Sequence, residues 1–174
     1  MPTALFPGRF QPLPHVGHEQ VLLDLFKKHN KVIIVLGSSN RSRYQEHVLN
    51  IEERKEVLEV LLQSLEIDEA RYEIVAVPDI DSYPEYVKHL EGLVPPFDIV
   101  YSGNSLVQRL FREAGYNVCD LEMYSEISGT KLRKLMLDEQ DFERYIPEKC
   151  QPFVEKFNII KRLKSYEKAP HKNE

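Results

Sequence analysis

The chain has 174 residues, 42% hydrophobic and 29% charged, which is an ordinary globular make-up with length enough for one real core. A formal net charge of −5 argues against a broad nucleic-acid-binding face but leaves room for a local basic pocket. No window approaches the roughly 18 unbroken apolar residues of a membrane span, no leader pattern is read, and Cys119 and Cys150 form no metal motif; one cytoplasmic domain over residues 1–164 is expected, with a polar tail at 165–174.

Residues 3–6 read as a first strand. From 17 to 29 the residues Val21, Leu22, Leu25 and Phe26 recur at helical spacing. The β-branched run at 31–37 is short enough for a strand buried on both faces. Residues 38–50 are polar and read as a loop. Residues 51–65 form an amphipathic helix with Val57, Leu58, Leu61 and Leu62 on its apolar side. A third strand is expected at 72–77, a short helix at 83–93 and a fourth strand at 97–101. A helix at 106–114 is closed by Gly115. Residues 116–119 read as a fifth strand, 128–137 as a helix capped near Ser128, and 147–164 as a last helical stretch open to breaks. The alternation implies an α/β fold: a Rossmann-like, doubly wound parallel sheet of about five strands with helices on both faces.

Three segments carry chemistry. Gly8, Arg9, Phe10, His15, Gly17 and His18 lie at the first strand-to-helix junction, on the ligand-binding edge of such a sheet. An imidazole can donate to a phosphoryl oxygen, and Gly17 lets backbone approach a ligand. Metal binding by the histidine pair is the weaker option, since no third ligand stands at a recognisable spacing. Ser128, Gly129, Thr130 and Arg133 form a small polar turn entering a helix. In isolation this reads as a capped helix with solvated cations; beside the first segment it reads as a polyphosphate site. Gly103 and Asn104 follow the fourth strand and read equally as a plain helix cap or as a nucleotide contact.

Together these segments resemble the archaeal type of nicotinamide mononucleotide adenylyltransferase, within the His-x-Gly-His nucleotidyltransferases. The resemblance rests on residues 8–18, Gly37-Ser38, Glu53-Arg54, residues 95–104, the stretch from Leu106 to Phe111, and Ser128 to Arg133. It implies transfer of AMP from ATP, carried with Mg²⁺, to nicotinamide mononucleotide, giving NAD and pyrophosphate by direct attack on the α-phosphorus. It also implies a homo-oligomer, with small-molecule substrates and neither nucleic acid nor membrane as partner. By resemblance His15, His18 and Arg133 are catalytic, while Gly8, Arg9, Phe10, Gly17, Gly103, Asn104, Ser128, Gly129 and Thr130 bind the nucleotide. Arg41, Arg43, Asp79, Tyr83 and Tyr86 fall to the acceptor, and no metal-ligating residue is assigned.

The sequence departs from that pattern at four places. Two residues, Leu13 and Pro14, precede His15 where the family has one, and Pro7 stands before Gly8. Glu46 falls where an acceptor-binding arginine is usual, and Tyr83 replaces an asparagine. These changes leave open a related transferase with another phosphorylated acceptor or with CTP, or a non-catalytic nucleotide sensor of the same fold.

Overall fold

A computed structural model describes residues 1–42, 44, 46–121 and 124–167. Five strands, β1 (Ala4–Gly8), β2 (Val32–Leu36), β3 (Tyr72–Ala76), β4 (Ile99–Ser102) and β5 (Asn117–Asp120), form an all-parallel sheet in the order β3-β2-β1-β4-β5. All five β2 residues are buried, as expected for a central strand covered on both faces. The helices are α1 (Val16–Lys28), α2 (Ile51–Ser64), α3 (Tyr86–Glu91), α4 (Ser105–Glu113), α5 (Gly129–Leu137), α6 (Phe153–Lys156) and α7 (Ile159–Glu167).

Alternating residues of the strands feed two cores. Phe6, Ile34 and Leu36 pack with Leu22, Leu58, Leu62 and Leu132 on one side; Leu5, Ile33, Val35 and Val100 pack with Val87, Leu90 and Phe111 on the other. This is the doubly wound arrangement. Among the described residues no helix is long and apolar enough to cross a membrane.

The strand order reverses at β1, and the register there matters for the site. β1 pairs with β2 along its whole length, from Ala4 opposite Val32 to Gly8 opposite Leu36. It pairs with β4 only through Ala4 and Leu5. Beyond Leu5 the two strands separate, which opens a crevice at their carboxyl ends. Pro7 lies in this stretch, where β4 no longer pairs, so its missing N–H costs that ladder nothing.

Two expected helices come out differently. The one at 83–93 begins as a 3₁₀ turn, Tyr83–Glu85, with proline inside its first turn, and is α-helical only over α3. The C-terminal stretch divides into a 3₁₀ turn, Glu148–Cys150, then α6 and α7, with Asn158 between the helices at φ +50°. α7 runs on to Glu167, past the expected end at 164, with the Ser165 hydroxyl donating to the Arg162 carbonyl.

Candidate active site

The crevice between β1 and β4 holds a cavity of about 530 Å³. Its walls combine Gly8, Arg9, Phe10, His15, Gly17 and His18 with Gly103 and Asn104, and with Ser128, Gly129, Thr130 and Arg133. Three segments, drawn from residues 8–18, 103–104 and 128–133, thus meet at one place.

His15 is the N-cap of α1 and His18 is its third residue. One helical turn brings their rings into a stack with centroids 3.7 Å apart. The His15 backbone N–H donates to Nδ1 of His18 at 3.1 Å. In the neutral ring the proton therefore sits on Nε2. Burial, and then the neighbouring His15, hold His18 well below the usual imidazole range; burial brings His15 to about 4. Both rings are neutral donors near pH 7. Phe10, buried at φ +53°, supports His18 with its ring centroid 4.7 Å away. The two residues before His15 turn inward, and Leu13 is completely buried. The extra residue is thereby absorbed by the core.

On the opposite wall, the Ser128 hydroxyl caps α5 by accepting the Lys131 N–H at 3.1 Å. The Arg133 guanidinium donates to the Thr130 hydroxyl at 3.1 Å. Burial lowers the Arg133 pKa, Glu46 raises it and Arg9 lowers it, so these three side chains share one neighbourhood. Gly129 is required by contact: a Cβ there would overlap the backbone carbonyl oxygen of Gln11. At the β4 end, the Asn104 side chain accepts the N–H groups of Leu106 and Val107 at 2.9 and 3.2 Å, so its carbonyl is used as the cap of α4.

The residues expected at the acceptor lie apart from this cavity. Arg41 pairs with Asp79 at 2.6 Å, and Asp79 also accepts the Ser38 hydroxyl at 2.9 Å. Tyr83 is 64% exposed. Tyr86 packs edge-on against Phe111, and burial plus the Asp79 carboxylate push its hydroxyl up to about 12. Arg43 lies outside the described residues.

Two residues were missed as parts of this region. Arg54 is fully buried and donates to the carbonyls of Arg9, Gly37 and Ser38 at 3.2, 2.7 and 3.1 Å. Burial, then Arg9, bring it down to about 10 against the pull of Asp79. A charged residue on the buried stripe of α2 was the available signal. His47 is buried with its Nδ1 unpartnered; burial, Arg9 and Arg54 lower it to about 4. Nothing in the polar run around it marks it from sequence.

Comparison with known proteins gives a consistent picture. The cytidylyltransferase-like family profile matches residues 5–135. A nicotinamide-nucleotide adenylyltransferase of Archaeoglobus fulgidus is 38% identical over 167 residues, covering 92% of this chain and 95% of its own. The protein of that name from Thermococcus sibiricus is 36% identical, covering 98% of this chain and 92% of its own. Among solved structures, a bifunctional NMN adenylyltransferase/ADP ribose pyrophosphatase from Francisella tularensis, complexed with AMP and a manganese ion, superposes with a TM-score of 0.76 at 22% identity. That alignment covers 95% of this chain and 52% of the other, so this chain spans about half of the two-activity protein. A Plasmodium falciparum nicotinic acid mononucleotide adenylyltransferase complexed with NaAD gives a TM-score of 0.64 at 15% identity, over 91% of this chain and 97% of that one. At these identities the structural likeness concerns the fold.

Proposed function

The chain belongs to the cytidylyltransferase-like nucleotidyltransferases and, within them, to the nicotinamide-nucleotide adenylyltransferase family, and from that premise we propose how its residues work. It is an adenylyltransferase: AMP passes from ATP to nicotinamide mononucleotide, and NAD and pyrophosphate are released. The observation that carries the assignment of roles is the meeting of the His15–His18 turn with Arg133 across one cavity.

The acceptor's phosphate oxygen attacks the α-phosphorus of ATP, the bond from that phosphorus to the α–β bridging oxygen breaks, and pyrophosphate leaves with the bonding pair. Little covalent chemistry is asked of the protein, so rate comes from positioning and from donors aimed at the phosphoryl oxygens. Nε2–H of His18 and the ring of His15 face the α- and β-phosphates. Being neutral, they donate without holding the product by full charge. Arg133, Ser128 and Thr130 take the β- and γ-phosphates and the leaving pyrophosphate, close to the free N–H groups that open α5. Gly129 and Gly17 keep backbone near the ligand, Arg9 and Gly8 border the phosphates, and Phe10 holds the His18 ring. Gly103 and Asn104 border the adenosine half. Arg41, Arg43, Asp79, Tyr83 and Tyr86 form the acceptor side, where a phosphate would compete with Asp79 for Arg41.

ATP enters as its magnesium complex. Among the described residues no group of three or more His, Cys, Asp and Glu could hold a metal ion, and we take the cation as travelling with the triphosphate. We also take the protein to be a cytoplasmic homo-oligomer without a nucleic-acid partner; a solution mass above that of one chain checks the oligomer. The test of the main reading is pyrophosphate release from Mg-ATP with and without nicotinamide mononucleotide, with the product identified. NAD and pyrophosphate should appear together and only with the acceptor. ATP binding without NAD would remove the acceptor from the reading.

A further inference from the structure

Glu53 and Arg54 are neighbours on the first turn of α2, and their side chains part. Arg54 runs inward to the carbonyls at the ends of β1 and β2. Glu53 turns the other way. Its carboxylate accepts the Asn50 N–H at 3.0 Å and both arms of the Arg162 guanidinium at 2.8 Å each. Arg162 lies on α7, 109 positions further along the chain, and its Nη1 also stands 3.5 Å from the Val48 carbonyl. The two side chains of the pair are only 32% and 15% exposed. Burial raises the Glu53 carboxyl, but the hydrogen bonds from Arg162 and Asn50 outweigh it, leaving the group below its usual range.

The loop at 38–50 is therefore anchored at both ends by adjacent residues of one helical turn. Arg54 holds its start at Ser38; Glu53, with Arg162, holds its end at Val48 and Asn50. A third anchor faces the active site, where the Gln11 side chain donates to the Leu49 carbonyl at 2.8 Å and accepts the Leu49 N–H at 3.1 Å. Arg41, Glu46 and His47 lie on the chain between these anchors.

We propose that the Glu53–Arg162 pair is a positioning device for the acceptor: it fixes the end of the 38–50 loop, and through it the affinity for the phosphorylated mononucleotide, without touching either substrate. This rests on the reading of that loop as the acceptor's wall. A forked pair couples two helices more firmly than a point charge can, so lysine at 162 should serve only in part.

The experiment compares Arg162→Ala, Arg162→Lys and Glu53→Gln with Arg41→Ala, measuring the KM of each substrate and amide exchange over residues 46–50. Arg162→Ala should raise the KM for nicotinamide mononucleotide about five- to tenfold, as a coupling of ordinary size would. The KM for ATP should stay within about twofold, kcat should change less than the acceptor KM, and exchange should quicken at 46–50 but not at 9–18. Arg162→Lys should recover part of the loss. A general loss of packing would instead lower the melting temperature and move both KM values together, and that result overturns the proposal. An effect in Arg41→Ala alone overturns the proposal and leaves the reading of the loop standing. No effect on the acceptor in either variant removes both.

Discussion

At the scale of single residues, the backbone bond onto Nδ1 of His18 does two things at once. It fixes the ring and it leaves Nε2 as the donor. His18→Ala should lower kcat by about 100- to 1000-fold, the cost of one transition-state donor. ATP affinity, measured by calorimetry, should change far less. His15 gives a prediction of opposite visibility. Its folded-state pKa of about 4 lies below the unfolded value of about 6.5, so between these limits the unfolded chain binds more protons. Stability contributed this way is present above about pH 6.5 and is lost as pH falls towards 4. His15→Gln should therefore narrow the gap between melting temperatures at pH 7 and pH 5. Gly129→Ala places a methyl group against the Gln11 carbonyl and should destabilise by about 1–3 kcal/mol while raising the KM for ATP. These positions were legible because their residue types are unusual together: a glycine between histidines, a serine and glycine opening a helix. The neutrality of the histidines was not legible, since burial and the stacked ring pair belong to the folded turn.

At the scale of elements, α2 shows what a pattern can and cannot carry. Val57, Leu58, Leu61 and Leu62 mark its buried face in sequence, and all four are fully buried in the fold. Arg54 falls on that same face one turn earlier. Its target, three carbonyls at the ends of two strands, exists only after the sheet has formed. Arg54→Leu should cost about 1–3 kcal/mol, read from denaturant unfolding, because the Arg9 and Gly37 carbonyls would lose their Arg54 donor while that of Ser38 keeps the Arg41 N–H. Arg162 is the matching case at the other end of the chain. Lysines at 161 and 164 surround it in sequence, and only the contact with Glu53 distinguishes it from Lys161. The short elements were read less well than the long ones: the proline at 84 tightens the approach to α3, and the left-handed Asn158 divides the C-terminal helices.

At the scale of the molecule, two layers of helices over one parallel sheet were legible from the alternation of apolar runs and helical patterns. That the turn after β4 should neighbour the first motif was legible too, since both follow strands and open helices, and Gly103 and Asn104 do line the same cavity; the full strand order was not, since it is set by how the connections cross. Mg-ATP at about a hundredfold excess over its Kd should add about 2.7 kcal/mol to stability, and so raise the melting temperature by about 5–10 °C for a chain of this size. The pairing of β1 with β4 through two residues only, set against five with β2, has a kinetic meaning as well. The reaction chamber is a notch cut into the edge of one continuous plate, not a gap between two bodies joined by a hinge. Widening it would tear ladder hydrogen bonds at its base. Traffic in and out then falls to loops and side chains, whose movements run on nanoseconds to microseconds, and domain closure drops out as the step that limits turnover.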